Sequence, residues 1–409
     1  MNILLKIAWR NVWRNPRRSW VLVTAIGMGI FSFIGSTTFM DGFAFQMVDS
    51  AIDLQGGHIE IGKRGHHDNP TIRSFIAEPR VVEEALAGLE GVRYAPEVRA
   101  PGMANSPEQA AGVVIHGVEP AREPDVTVIA RTVTEGGYLS PEGKANEVLV
   151  GAALAKRLKV RLGEKIVLMA NDLQNDVSAG AYRVVGLFRT NNTEFDKANV
   201  YLHIDEARRL LGYDAEAVTV FSLRLDRGVK LDPLVETLRA RLEPLGLEVL
   251  SWKDRFPLLV LAMEAYDYSI IMLVVILFTA VAFTLVNAFL MVIFERIREI
   301  GIMMANGARP RQIRFMLYFE AIFLLLLGLG AGAALSALAL GYWVVNGMDL
   351  SSFAAGLGAY GIGTVVYPYF DWGHLGLGFL LIVVMVFLSV LYPAYRAGRF
   401  EVVEALTYV

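Results

Sequence analysis

The chain has 409 residues, a net charge of −3, 54% hydrophobic residues and a mean hydropathy of +0.44. Soluble domains are typically about 45–50% apolar, so this excess excludes an ordinary soluble protein and indicates membrane-spanning segments. The chain contains no cysteine, which excludes disulfide bonds and a cysteine nucleophile. Any large domain outside the membrane must therefore be held together by an apolar core.

Residues 1–18 predict a short amphipathic helix on the cytoplasmic membrane surface. Lys6, Arg10 and Arg14 recur every fourth residue opposite an apolar face, and Pro16 ends the pattern. A basic face opposite an apolar face favours lying on an anionic leaflet. The alternative is a basic flank that sets the topology without forming a helix.

Four apolar runs are long enough to span a bilayer, at residues 19–40, 269–294, 321–348 and 374–394. None contains Lys, Arg, Asp or Glu, and a helix needs about 20 apolar residues to cross the hydrocarbon core. The third run, assigned to a span at 315–348, is long enough that it must tilt or project. The lack of charged residues argues against ion or proton pathways. A cleaved signal peptide is the alternative for the first run, although that run is long for one.

The distribution of Lys and Arg predicts the orientation. The first 20 residues and the stretch 295–314 carry five basic residues each, whereas 349–373 carries none. Because cytoplasmic loops are enriched in Lys and Arg, we predict that both termini, including the tail 395–409, and the 295–314 stretch are cytoplasmic. Residues 41–268 and the 349–373 loop then lie outside.

Residues 41–268 predict a large α+β domain. "EVLVGAALAKRLKVRLGEKIVLMA" is typical of a strand, a helix, a turn and a strand, and "AYRVVGLFRT" and "NVYLHI" predict further strands. "HIDEARRLLG" and "LDPLVETLRARLEPLG" predict helices. Segments 41–55 and 252–268 are predicted to be the linkers, or stalks, to the membrane. The predicted fold is an α-helical membrane protein with four transmembrane helices and this extracytoplasmic domain between helices 1 and 2.

Common catalytic motifs are absent from the sequence. It holds no G-x-S-x-G, no H-E-x-x-H and no G-x-x-x-x-G-K-[ST] phosphate loop. His58, His66, His67 and Asp68 raise the question of a metal site, but "GKRGHHDNP" has no spacing that fixes a tetrahedral centre. We therefore predict no catalytic residue and no metal site, and a solvated loop at positions 66–68.

Small residues recur at four-residue spacing in two of the apolar runs. Ala25 and Gly29 lie in the first run, and Gly328 and Gly332 lie in the third. This spacing allows close helix–helix approach. Either the helices of one chain pack through these residues, or the small bundle pairs with a second copy.

"ERIREIGIMMANGARPRQI", residues 295–313, predicts a rigid amphipathic turn between the second and third spans. Asn306-Gly307 supplies a helix stop, and Pro310 suits the first turn of the next helix. Isoleucines and methionines beside paired charges indicate a surface that docks into a partner. The candidate docking residues are Glu295, Arg296, Arg298, Glu299, Ile300, Gly301, Met304, Gly307 and Ala308.

Several stretches resemble one protein family. "ERIREIGIMMANGA" closely resembles the E-R-x-R-E-I-G-I-x-x-A-x-G-A motif of FtsX-like ABC permeases, the MacB-like group. "YPAYRAGRFEVVEAL" resembles that family's C-terminal ending, except that Val402 or Val403 stands where Pro is usual. "LVGAALAKRLKVRLGEKIVL", then "YRVVGLF", resembles the outer-domain signature. The resemblance covers essentially the whole chain, and lipoprotein-releasing permease subunits are the most similar subgroup because the sequence holds four spans and no ATPase.

The resemblance implies how such a chain works. Residues 295–314 would be a coupling helix seated in a separate ABC ATPase subunit, which binds ATP and Mg²⁺, while this chain binds no cofactor and catalyses no reaction. Closure of two ATPase subunits would move the first two spans as levers and transmit motion to the outer domain. A second permease copy or a sister permease completes the complex in the bacterial inner membrane.

The implied substrate is a lipoprotein, handed to a periplasmic carrier or adaptor. Phe39, Met40, Phe43, Phe45 and Met47, near the outer end of the first span, are candidates to line a cavity for its acyl chains; alternatively they face lipid or a partner subunit. Two other roles within the family remain open. One is a signalling permease that controls a cell-wall hydrolase, and the other is MacB-like efflux with a periplasmic adaptor. No nucleic-acid partner is expected.

Overall fold

The computed structural model describes residues 2–142, 146–226, 228–353, 356 and 363–397. The chain forms two compact units. The helix unit comprises Met1–Phe45, Ala262–Asp349 and Val365–Val409, and the sheet unit comprises Gln46–Leu261 and Leu350–Thr364. The predicted tail 395–409 and outer loop 349–373 fall partly outside the described residues.

Helices occur in both units. In chain order they are α1 (Asn2–Arg14), α2 (Pro16–Leu54), α3 (Pro79–Leu86), α4 (Ala152–Leu158), α5 (Thr193–Ala198), α6 (Ile204–Leu211), α7 (Leu231–Leu242), α8 (Trp252–Arg255), α9 (Pro257–Glu295), α10 (Ile297–Ala305), α11 (Pro310–Asn346) and α12 (Trp372–Ala397). Within the described residues, four of them, α2, α9, α11 and α12, are long and apolar enough to cross a membrane, judged by length and composition. Three of them contain a whole apolar run of the sequence, and α11 contains all but the last two residues of the run 321–348.

The segments 41–55 and 252–268, predicted to be the stalks of the outer domain, are mostly helical. Helix α2 continues to Leu54 because no proline interrupts it after its first residue. It ends before Gly56 and Gly57, whose φ angles of 82° and 73° favour glycine. Helix α9 already begins at Pro257, a residue suited to a first helical turn.

The N-terminal helix α1 packs on the third long helix. Ala8 and Val12 are buried, and the ring of Trp9 lies edge-on to Phe323 of α11, with centroids 5.2 Å apart. The predicted apolar face of α1 therefore contacts protein, while Arg10 and Arg14 on its other side remain exposed.

Glycines make the closest contacts between the long helices. A Cβ added to Gly332 would lie 2.6 Å from the carbonyl oxygen of Gly27, and one on Gly328 would lie 2.6 Å from an isoleucine of α2. A Cβ on Gly29 would lie 2.9 Å from a valine of α9, whereas Ala25 is half-buried. Helix α2 thus approaches α11 and α9 closely because these residues lack side chains.

The sheet unit is built on a mixed ten-stranded sheet. Its strands are β1 (Ile59–Lys63), β2 (Val92–Asn105), β3 (Ala110–Val118), β4 (Val133–Gly136), β5 (Glu147–Gly151), β6 (Lys165–Asn171), β7 (Val177–Phe188), β8 (Asn199–His203), β9 (Val220–Leu225) and β10 (Leu247–Ser251). Their order is β10-β1-β9-β2-β3-β8-β5-β7-β4, and β6 pairs with β2 and β7. The β3–β8 and β5–β7 pairs are parallel. A short antiparallel pair, β11 (Met348–Asp349) and β12 (Val365–Val366), belongs to the helix unit.

Strand β2 joins two apolar cores. Its first half pairs with β9 and its second half with β3 and β6. Ile59, Phe221 and Leu238 belong to one core, and Ile115 and Leu202 belong to the other. The sequence pattern did not predict β2, because its prolines and glycine obscure the alternation typical of a strand.

Candidate functional site

The predicted docking stretch begins at a break between α9 and α10. Arg296, at the break, departs from helical geometry, with φ of −112° and ψ of 15°. Its guanidinium donates to the carbonyl oxygen of Asn11 on α1 at 3.4 Å and lies 3.7 Å from the carboxylate of Glu320 on α11. Helix α10 is followed by Gly307, whose φ is 92°, and α11 starts at Pro310. The Asn-Gly stop and the Pro start thus lie where the sequence predicts them.

Helix α10 buries one face and exposes the opposite one. Ile297, Ile300 and Gly301 are buried against the chain's own helices, because residues three and four apart share a side. Of the predicted docking residues, Ile300 and Gly301 therefore support the bundle, which corrects the expectation that they face a partner. Glu295, Arg298, Glu299 and Gly307 are exposed, and Arg296, Met304 and Ala308 are half-buried. Ile302 and Ala305 are also exposed and lie on the side of Arg298; these three residues are termed the α10 outer face.

An ion pair joins α1 to α10. Nη2 of Arg14 donates to both carboxylate oxygens of Glu299, at 2.6 and 2.7 Å. About half of each side chain remains exposed. Sequence patterns do not reveal this pair, because the two residues are 285 positions apart. The N-terminal helix therefore forms part of the structure around the predicted docking stretch.

Glu320 corrects the expectation that the spans contain no charged residue. It lies in the predicted third span, 315–348, and is 4% exposed. A buried carboxylate is costly unless it is compensated, and Arg296 supplies a nearby positive charge. The side chain of Arg296 is accordingly directed into the helix unit.

An apolar cavity of about 550 Å³ lies among the long helices. Its lining includes Phe33 of α2, Phe278 of α9, Leu340 of α11, and Trp372 and Phe379 of α12. The five residues predicted to line a cavity do not line this one. The cavity forms where α2, α9, α11 and α12 meet, and the sequence does not show which face of each helix points there. Phe39, Met40, Phe43 and Met47 are half-buried, and Phe45 is exposed and stacks on Tyr369 at 4.7 Å between centroids.

A polar cluster links three long helices. Oδ1 of Asp41 on α2 accepts from the hydroxyl of Tyr266 on α9 at 2.5 Å and lies 2.8 Å from Nδ1 of His374 on α12. Nε2 of His374 lies 3.5 Å from Asp267. Sequence reasoning missed this cluster because its members come from three separate helices.

In the sheet unit, charged side chains form a connected row across the sheet. Nη1 of Arg99 donates to Glu60 at 3.1 Å, and its Nη2 and Nε donate to Glu97 at 2.8 and 3.0 Å. Glu97 also lies 2.5 Å from Nδ1 of His116, whose Nε2 lies 2.7 Å from Oδ1 of Asn199. Glu60, Arg99, Glu97 and His116 are termed the buried charge row.

The charged groups of this row stabilise one another electrostatically. Burial alone would raise the pKa of Glu97, but Arg99 and His116 lower it overall. Burial acts in the same direction on Glu60, and Arg99 and Arg255 lower its pKa overall. A cavity of about 250 Å³ is lined in part by Glu97, Arg99 and His116. Because their pKa values are lowered, both carboxylates stay ionised beside the Arg99 guanidinium.

The histidine loop differs from its prediction at one position. His66 is buried, which corrects the expectation of a solvated loop, whereas His67 and Asp68 are exposed. The loop folds back at Gly65, whose N–H donates to Glu248 of β10 at 2.9 Å. Burial lowers the pKa of His66, as it does that of His58. Among the residues that the structure describes, no cluster of three His, Cys, Asp or Glu side chains could hold a metal ion.

Two family models match the chain. The model of the MacB-like periplasmic core domain matches residues 19–241, more than half of the chain, and the model of the FtsX-like permease C-terminal region matches residues 270–402. The chain therefore belongs to the FtsX-like permeases with a MacB-like periplasmic core domain. This confirms the family inferred from the motifs.

Among the curated relatives, two permease subunits match over nearly their full length. The lipoprotein-releasing system transmembrane protein LolC of Neisseria meningitidis is 25% identical, over 95% of this chain and 93% of its own. LolE of Haemophilus influenzae is 21% identical over the whole of both chains. The periplasmic region of MacB from Actinobacillus actinomycetemcomitans is a similar solved structure, with 12% identity, a TM-score of 0.36, and coverage of 49% of this chain and 90% of its own.

Proposed function

We propose that the chain is the permease subunit of an ABC transporter that releases lipoproteins, or another lipid-anchored substrate, from the inner membrane. The observation that carries this proposal is the near full-length similarity to LolC and LolE proteins, which are named as parts of a lipoprotein-releasing system. ATP and Mg²⁺ would bind a separate ATPase subunit. This chain would bind no cofactor and catalyse no reaction.

The proposed orientation of the chain in the membrane follows from the distribution of its basic residues. Both termini and α10 are cytoplasmic, because basic residues concentrate there. The sheet unit, whose residues 46–261 run from the last turns of α2 to the first turn of α9, is extracytoplasmic. Its match to a periplasmic core domain supports this side. A second permease, either another copy or a sister subunit, and a periplasmic carrier or adaptor complete the machine.

The proposed contact with the ATPase is the α10 outer face. Arg298, Ile302 and Ala305 combine one charge, one branched apolar side chain and one small residue on an exposed side. On its buried side, Ile300 packs into the apolar core of the helix unit, and Arg296, just before α10, lies near Glu320 of α11. A push on the outer face is thereby transmitted to the long helices rather than absorbed by a loop.

The apolar cavity is the proposed site for acyl chains. Burying one methylene contributes about 0.8 kcal/mol, so an acyl chain of about 15 methylenes loses about 12 kcal/mol if it is exposed to water. A transporter avoids this cost when the chain passes from the bilayer into an apolar space and then to a carrier. The cavity of about 550 Å³ lined by Phe33, Phe278 and Trp372 offers such a space.

The test is depletion of the protein in its own cells, followed by separation of the inner and outer membranes. The proposal expects palmitate-labelled lipoproteins to accumulate in the inner membrane and wild-type protein to restore their release. The paired change Arg298→Glu/Ile302→Asp should fail to restore it, while Leu338→Asn, at an exposed residue of α11, should succeed. Normal lipoprotein sorting with failed cell-wall hydrolysis would instead indicate the signalling role. Normal sorting with retained small molecules would indicate efflux.

A further inference from the structure

Arg255 lies at the point where the chain leaves the sheet unit. It is the last residue of α8, two positions before α9 begins at Pro257. Its side chain is 3% exposed, and Nη2 donates to the carbonyl oxygen of Gly57 at 2.6 Å. Nη1 donates to the carbonyl oxygen of Gln55 and to Glu60, the latter at 3.0 Å.

The two carbonyl groups lie just beyond the end of α2. Gln55 follows α2 directly and Gly57 comes two residues later, where the positive φ angles of Gly56 and Gly57 turn the chain sharply. A Cβ on Gly57 would lie 2.3 Å from the carbonyl oxygen of Leu223, so only glycine fits this turn. One guanidinium thus joins the end of α2 to the start of α9.

The same guanidinium is connected to the sheet. Oε2 of Glu60 accepts from Arg255 and also from Arg99, which continues through Glu97 to His116 on β3. An arginine offers several donors in a rigid plane, so it can hold a carboxylate and two carbonyls at fixed angles. Neither a lysine nor an apolar residue could reproduce that geometry.

We infer that Arg255 is the positioning residue that makes the end of α2 and the start of α9 move as one body with the buried charge row of the sheet unit. The inference rests on the proposed function, in which these two helices act as levers. Without the Arg255 contacts, the helices would still respond to the ATPase, but the sheet unit would no longer follow them.

Two variants distinguish the positioning role of Arg255 from a general contribution to the stability of the fold. Removing one partner of a buried ion pair leaves the other charge uncompensated, whereas replacing both with apolar residues is often tolerated. The paired change Arg255→Met/Glu60→Leu should therefore keep the fold and remove the link. Arg255→Lys keeps a charge opposite Glu60 but cannot reach both carbonyl groups. Arg239→Met is the matched control, because Arg239 also donates to a carbonyl (Val249, 3.0 Å) and to a carboxylate (Asp254, 2.7 Å) but contacts neither helix end.

The measurement uses the full-length chain in complex with its ATPase in lipid nanodiscs. Because the chain has no cysteine, spin labels can be placed at Leu258→Cys and Glu164→Cys, two exposed positions of the sheet unit. Because the sheet unit follows α9 in the wild type, ATP with vanadate should leave the distance between the labels unchanged in the wild-type background and in the Arg239→Met control. The distance should change with ATP and vanadate in Arg255→Met/Glu60→Leu and in Arg255→Lys, while ATP hydrolysis stays within about twofold.

The outcomes distinguish the two claims. If the distance stays unchanged in both Arg255 variants as well, the inference is overturned, while lipoprotein release by the wild-type protein still supports the proposed function. If the distance already changes in the wild-type background, the sheet unit does not follow α9 and the inference is overturned. Lipoprotein release measured in the same samples should fall about tenfold or more in the two Arg255 variants. Unchanged release would also overturn the role of Arg255.

Discussion

In the helix unit, the buried carboxylates border the apolar runs, whereas in the sheet unit buried charges cross the middle of a sheet. Asp41 directly follows the run 19–40, and Glu320 directly precedes the run 321–348. Between them the helices meet through glycine. In the sheet unit, Glu97 and Arg99 lie on a central strand and are satisfied by each other and by neighbours. Hydrocarbon supplies no partner for a polar group, so the bundle centre uses small residues, while the sheet unit uses charges to fix its strands.

The largest expected effect comes from a substitution that breaks the buried charge row of the sheet unit. Glu97→Ala leaves Arg99 and His116 without their shared carboxylate, so the free energy of unfolding should fall by about 3–5 kcal/mol. Hydrogen exchange of β2 and β3 in the detergent-solubilised full chain measures this loss. The control is Glu216→Ala, which removes an exposed partner of Arg80 and should leave exchange nearly unchanged. Equal effects of the two variants would contradict a structural role for the row.

The next largest effect is expected from a substitution that disrupts the close helix packing in the helix unit. Gly332→Leu would place a side chain against the backbone of Gly27, and overpacking of this kind costs about 1–3 kcal/mol. The expected result is a lower thermal transition, measured by size-exclusion fluorescence after heating in detergent. Gly330→Leu on the same helix is the control, because nothing lies within 4 Å of its added Cβ. Equal thermal transitions for the two variants would show that the helices do not meet at Gly332.

Acid pH should destabilise the sheet unit, because the pKa values of Glu60 and Glu97 are lowered in the folded protein. A lowered carboxyl pKa stabilises the fold above the ordinary value of 4.5 and loses that contribution as the pH falls below it. Hydrogen exchange of β2 should therefore accelerate as the pH falls from 5 to 3, after correction for intrinsic exchange. Glu97→Gln should flatten that pH dependence. An identical pH profile in the variant would exclude Glu97 as its source.

The smallest effect concerns the exposed pair between α1 and α10. Arg14→Ala should lower the free energy of unfolding by at most about 1 kcal/mol, because both side chains are half exposed to solvent. Thermal unfolding of the full chain in detergent measures the change. The swap Arg14→Glu/Glu299→Arg should restore the wild-type value. A loss several times larger would mean that this pair carries the attachment of α1.

Local signals made much of the fold predictable. The four long helices follow from the length of their apolar runs, and the stop at Asn306-Gly307 and the start at Pro310 follow from two local residue preferences. The bounds of α2 and α9 were underestimated, because a helix that leaves the bilayer becomes polar without breaking. Only the Gly56-Gly57 pair marks the true end of α2.

Contacts between distant segments could not be predicted in this way. His116 meets Asn199 across 83 positions, and Arg255 meets Glu60 across 195. A single sequence does not state which strands become neighbours, so these residues showed no pattern. The same limit explains why Ile300 was expected to face a partner, since periodicity gives the apolar side of α10 but not what covers it.

The most direct test of the account is a site-specific photocrosslink from the α10 outer face. A photoreactive residue at Ile302, 46% exposed, is compared with one at Leu338 on α11, 77% exposed, in cells that express the full chain. The account predicts a crosslinked product from Ile302 alone, with peptides of a P-loop ATPase identified in it by mass spectrometry. No ATPase product from Ile302, or the same product from both positions, would contradict docking through α10 and remove the mechanism proposed for this permease.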